Sequence, residues 1–128
     1  MTTAPAPSLR DLICRAQDAR VEPIDIPEWR TALGDRKLYL RVLTGMERDA
    51  FEAFCLDLKK LPPGSSRNVR AFLASKTLCD ETGARIFTDA DVAELGKKSG
   101  LVLDRIWRAS LALNMMQADD TGDAPAPN

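Results

Sequence analysis

Leu78-Cys-Asp-Glu-Thr-Gly-Ala-Arg-Ile-Phe-Thr-Asp-Ala-Asp-Val-Ala-Glu-Leu95 decides how this chain is joined together. It packs a helix stop, a Gly turn, two apolar residues and a helix start into one short run. Thr88 is a good N-cap, and Asp91 sits three residues on, where a capping-box partner belongs. Phe87 before the cap and Val92 beyond it can close a hydrophobic staple. The stretch therefore predicts how two helices meet, and nothing in it looks catalytic.

Working outward, Ser8 to Asp18 reads as a first helix, with Leu9, Leu12, Ile13 and Ala16 at helical spacing and Ser8 and Asp11 as a capping pair. Val21 to Ile26 reads as a strand that Pro23 confines to an edge or a bulge. Lys37 to Leu43 alternates, with Leu38, Leu40 and Val42 on one face and Lys37, Tyr39 and Arg41 on the other. The two strands are expected to pair as an antiparallel ribbon. A lone ribbon is marginal, so it must lie on helices or gain strands. Thr44 and Glu47 open a second helix as a capping box, with Phe51, Phe54, Cys55, Leu58 and Leu61 as its apolar stripe. Pro62-Pro63-Gly64 stops it. Asn68 to Cys79 reads as a third helix with Val69, Phe72 and Leu73 inward, Thr88 to Lys97 as a short fourth, and Ser99 to about Gln117 as the longest.

The totals bound the function. At 128 residues, one domain is the natural count. A net charge of −1 and a pI near 5.5 give no electrostatic case for a nucleic-acid or anionic-membrane partner. The start lacks the charged and apolar regions of a signal peptide, and no apolar run is long enough to span a bilayer, so a cytoplasmic protein is expected. Cys14, Cys55 and Cys79 are odd in number and widely spaced, which reads as small buried thiols in helices rather than a disulfide framework or zinc knuckle. Both ends are rich in Ala, Pro, Thr and Asp and read as soft tails.

Chemistry-bearing clusters are few. Asp80, Glu81, Asp89, Asp91 and Glu94 fail as a calcium loop: the required Gly falls at the wrong position, and Asp91 stands where Glu is needed. Acids in a first helical turn are expected from the helix dipole. Gly64-Ser65-Ser66 lacks the Lys of a phosphate loop. Lys59-Lys60 and Lys97-Lys98 sit where helix C-termini favour cations. With no histidine in the chain, no Ser-His-acid, Cys-His or metal-His cluster can form. No catalytic, cofactor or metal residue is assigned.

The last helix is the more informative surface. Val102, Ile106, Ala109, Leu113 and Met116 form one stripe, and Leu103, Trp107 and Leu111 form an adjacent one. The apolar arc is roughly 220° wide, against the ~100° an ordinary surface helix needs. Two readings compete. The helix is central, touching the ribbon on one side and helices on the other, or the stripe of Leu103, Trp107 and Leu111 is open and binds a partner. Trp29, after the first strand, reads as a lid on the core.

Two blocks carry a family resemblance. One is Val21-Glu-Pro-Ile-Asp-Ile-Pro-Glu-Trp29, followed by Leu38-Tyr-Leu-Arg-Val-Leu-Thr-Gly-Met-Glu-Arg-Asp-Ala-Phe51. The other is Asn68-Val-Arg-Ala-Phe-Leu-Ala-Ser-Lys-Thr-Leu-Cys-Asp-Glu-Thr-Gly83, then Ile86 to Val92, Leu95-Gly96, Lys98-Ser99 and Leu113-Asn114. In order and spacing these resemble the tail assembly chaperones of long-tailed bacteriophages and prophages. The run Arg30 to Arg36 departs from the pattern, which is tighter between the Trp and the second strand. The resemblance implies a non-enzymatic protein that binds the long helical tape-measure protein before tail-tube subunits polymerise around it. The tail-tube subunit is a second implied partner. Such chaperones are often made in two lengths by a translational frameshift, which the soft tail from Ala118 would suit.

Together these readings predict an α+β fold, a small antiparallel β-ribbon packed on about five α-helices. Residues 1–7 and 118–128 are expected to be tails around a single domain at 8–117. Leu103, Trp107 and Leu111 are the candidate partner-binding residues, and a homo-oligomer is expected. A protein-interaction adaptor outside phage biology is the alternative, and a small carboxylate enzyme is a third.

Overall fold

A computed structural model describes residues 5–63 and 67–116 of the chain. The tails expected at 1–7 and 118–128 fall largely outside those residues, and Pro5 to Pro7 are exposed and carry neither helix nor strand. In chain order the elements are α1 (Leu9–Arg15), β1 (Val21–Ile24), α2 (Arg30–Leu33), β2 (Leu38–Arg41), α3 (Gly45–Lys59), α4 (Val69–Thr77), β3 (Leu78–Cys79), α5 (Val92–Leu95) and α6 (Gly100–Leu113). Short 3-10 turns at Pro27–Trp29 and Asp89–Asp91 lead into α2 and α5. The class is α+β, as the sequence predicts.

The ribbon expected from the alternation is present, but it is two-thirds of a three-stranded antiparallel sheet ordered β1-β2-β3. Val21 pairs with Arg41 and Ile24 with Leu38 on one side of β2, and Leu40 pairs with Leu78 on the other. Leu78 and Cys79 therefore leave the third helix, where the sequence reading had placed them. The cause lies downstream: Asp80 to Ala84 forms a tight turn that brings Arg85 back to bridge Cys79. Asp80 secures the turn by accepting from the Thr82 N–H at 2.8 Å, the Thr82 hydroxyl at 2.6 Å and the Ala84 N–H at 3.1 Å. Gly83 supplies a φ of 87°, which only Gly adopts freely. Pro23 suits its strand. Val42 N–H donates to the Arg20 carbonyl, so the alternation of the ladder turns the backbone of Pro23 away from β2, where its missing N–H costs nothing.

The inner sheet face carries Ile24, Leu38, Leu40, Val42 and Leu78 into a core completed by Ala71, Ala74, Leu95, Val102, Ile106 and Leu113. Trp29, Phe87 and Val92 pack against it, so the lid reading describes a real contact and both residues of the expected staple lie on the same core. The outer face differs from the expected exposed row. Arg41 is only 8% exposed, because its guanidinium is drawn onto Glu47 at the start of α3.

A second core lies on the far side of α4 and α6. Phe51 and Cys55 from α3 meet Leu73, Trp107, Leu111, Leu43 and Met116 there. Ser75, Lys76 and Thr77 of α4 are buried as well. Thr77 Oγ1 bonds the Leu73 carbonyl and the Ser110 hydroxyl, both at 3.0 Å, so its polarity is satisfied inside. Two cysteines, Cys55 and Cys79, are buried as expected, although Cys79 lies in a strand. Cys14 is exposed, contrary to expectation, because no residue of α1 is buried.

Candidate functional site

The two faces of α6 are the candidate partner-binding site, and its local sequence explains their position. The Ser99 hydroxyl accepts from the Leu101 N–H at 3.2 Å and caps the helix. From there, Val102, Ile106 and Leu113 point to the sheet, and Trp107 and Leu111 point to α3. The wide apolar arc is thus that of a central helix. Leu103, Trp107 and Leu111 are 6%, 4% and 8% exposed, so the stripe is closed in the single chain. Of the two competing readings, this is the geometry of the central helix: Trp107 and Leu111 pack with Phe51 and Cys55 of α3 and Leu73 of α4.

Aromatic packing makes the cover. The ring of Phe51 meets Trp107 edge-on with centroids 5.9 Å apart and lies 6.2 Å from Phe72. Phe54 stacks on Phe72 at 4.2 Å with the rings 7° from parallel. Such pairs contribute about 0.5–1.5 kcal/mol beyond burial. Arg70 stands 5.5 Å above the Trp107 ring, and Lys76 4.8 Å above Phe72.

At its start α3 is tied down by polar groups. Thr44 and Glu47 form the expected capping box, with Thr44 N–H to Glu47 Oε1 at 3.0 Å and Glu47 N–H to Thr44 Oγ1 at 3.1 Å. Burial pushes the Glu47 carboxyl up, but the Arg41 guanidinium and the Thr44 N–H together hold it below its ordinary value. Asn114, which sequence reasoning cited only as part of the resemblance, is a lock. Its Oδ1 accepts from the buried Leu43 N–H at 2.8 Å, and its carbonyl accepts from Arg48 at 3.1 Å. No local pattern marks it, because its partner is 71 residues away.

Other surfaces are open. On α1, Leu9 and Ile13 are 78% and 73% exposed, so the amphipathic face the sequence predicts packs on nothing described. An apolar cleft of about 260 Å³ lies between α2 and α5, lined by Trp29, Ala32, Leu33, Phe87 and Leu95 with Glu94 and Lys98 at its rim. Ala32 and Leu33 of α2, within the run from Arg30 to Arg36 that departs from the family pattern, build one wall of it.

Asp80 is held below its ordinary pKa by the Thr82 hydroxyl and N–H, and Asp89 by Arg85 and Lys76, so both act as acceptors in turns and pairs. Thr88 N–H donates to Asp91 Oδ2 at 2.8 Å, which is the cap read from sequence. Burial pushes the Cys79 thiol up, away from a reactive thiolate. Among the described residues, no cluster of three or more His, Cys, Asp and Glu side chains is placed to hold a metal. No described helix is long and apolar enough to cross a membrane.

The fold has a solved counterpart. The structure of the bacteriophage HK97 tail assembly chaperone superposes with a TM-score of 0.55, covering 81% of this chain and 91% of that one at 19% identity. At that identity the likeness shows a shared fold. No curated protein matches the chain. The family model for the phage tail assembly chaperone matches residues 8–123, a span that takes in every described helix and strand. By that match, the chain belongs to the phage tail assembly chaperone family.

Proposed function

We propose that the protein binds the tape-measure protein during tail morphogenesis, in the cytoplasm of the bacterial host, and keeps its apolar helical segments soluble until tail-tube subunits assemble. The family match over residues 8–123 carries this reading. The surface chemistry supports it: α1 presents an exposed apolar face with Leu9 and Ile13, which suits binding of another apolar helix. The role is non-enzymatic. Self-association into a homo-oligomer and contact with the tail-tube subunit are part of the same proposal. Leu103, Trp107 and Leu111 keep a partner-binding role on one condition set by their burial: whatever lies on them must move first.

Co-expression with fragments of candidate tape-measure proteins tests the reading. Fragments that aggregate alone should remain soluble and co-purify. If all of them stay insoluble in the chaperone's presence, tape-measure binding is wrong. The adaptor and carboxylate-enzyme alternatives have no observation in their favour that family membership does not explain better.

A further inference from the structure

Two apolar features of the chain are left unfilled, and their shapes are complementary. One is a ridge. Leu9, Leu12 and Ile13 share a face of α1 and are 78%, 49% and 73% exposed, and α1 buries none of its residues. The other is a hollow, the cleft of about 260 Å³ walled by Trp29, Ala32, Leu33, Phe87 and Leu95. A cavity of about 150 Å³ takes a six-carbon ring, so a cleft of this size takes about two four-carbon side chains. Leu9 and Ile13, one helical turn apart, are such a pair.

We propose that α1 is an exchange arm: it seats Leu9 and Ile13 in the α2–α5 cleft of a second copy, which returns its own α1, giving a twofold dimer. Reach favours a second copy over the chain's own cleft. The arm joins the sheet at Val21, whereas α2 follows from the opposite end of β1. The strand alone puts about 10 Å between the two, and the turn at Pro27–Trp29 adds to it. The irregular residues 16–20 between α1 and β1 span at most about 18 Å when fully extended, so a return to the same chain's cleft would pull them nearly straight.

Area points the same way. A seven-residue helix laid in a cleft hides about 400 Å² on each of the two surfaces, so one joint covers about 800 Å² and two reciprocal joints about 1,600 Å². The first is the size of a chance contact, and the second is that of a stable interface. A twofold exchange fills both ridges and both clefts, so assembly through this surface stops at two chains. The inference rests on the self-association proposed above and gives it a surface. It makes no use of the tape-measure reading. An apolar helix of the tape-measure protein competes for the same α1 face, so the exchanged dimer is the form without cargo.

Sedimentation of the full chain at rising concentration tests the exchange. The parent should move from the 14.1 kDa of one chain toward twice that mass. Leu9→Asp with Ile13→Asp on the arm, or Ala32→Arg on the exposed cleft wall, should each weaken the pairing at least about tenfold, because each sets a charge in an apolar joint. Both variants should keep the circular dichroism of the parent, since neither alters a buried residue. A parent that stays at the mass of one chain at every concentration overturns the exchange and the self-association together, while co-expression still decides the tape-measure reading. Loss of fragment capture by the arm variant would then assign α1 to the tape-measure protein. Protection of the arm from trypsin without pairing would assign it to its own cleft. A pair that survives Ala32→Arg, or both variants, overturns the exchange and leaves self-association standing through another surface.

Discussion

At the scale of single residues, the chain uses polar side chains as internal fasteners, and these were the hardest features to see in advance. Asn114 holds the buried Leu43 N–H from one end of its amide and donates to the Ser110 carbonyl at 2.9 Å from the other. Asn114→Ala should cost about 1–3 kcal/mol, the penalty of leaving a buried donor unsatisfied. Urea unfolding measures it, and an unchanged midpoint would show that water replaces the amide. Lys76 and Thr77 tell the same story. Their polarity reads as surface, yet Lys76 holds its ammonium over the Phe72 ring and pairs with Asp89 at 3.5 Å, while Thr77 bonds Ser110 on α6. What makes these positions interior lies on other elements, so no local pattern records it. The caps at Thr44 and Thr88 were legible for the opposite reason: both partners lie within three residues.

At the scale of elements, periodicity was informative wherever an element buries one continuous face. The alternation of β2 gave the inner sheet face, and the two stripes of α6 gave a helix serving two cores. Periodicity could not tell a buried stripe from an open one. The stripe of α1 is exposed and those of α6 are buried, and only packing separates them. β3 escaped notice because two residues are too few for any period, and its pairing depends on the Asp80 turn. The edge strand carries a prediction of its own. Pro23 removes an outward-facing N–H from β1, which blunts the edge against pairing with another chain. Pro23→Thr should leave the monomer fold intact and promote association through that edge. Light scattering at rising concentration would show it, and an unchanged mass would mean that the edge is protected by something else.

At the scale of the whole molecule, several carboxylates hold distant parts together in their charged form. The Arg105 guanidinium bonds Glu28 through both nitrogens and lowers its pKa from 4.5 to about 2, joining α6 to the turn before α2. Glu47, Asp80 and Asp89 are also lowered. Each favours the folded state while ionised, so their contribution is complete at neutral pH. It fades as pH falls below the ordinary carboxylate range toward about 2. Chemical unfolding at pH 7 and pH 3 should show lower stability in acid. Glu47→Gln should shrink that difference more than Glu28→Gln, whose exposed pair is screened by solvent. The first helix, α1, buries none of its residues. Arg15 and Arg20 flank an exposed, irregular segment between α1 and the sheet. Brief trypsin treatment should therefore nick the chain there first and leave a shortened product that melts close to the parent temperature. The first described helix of this chain would then be a removable appendage, which can be altered or exchanged without retuning the body that folds behind it.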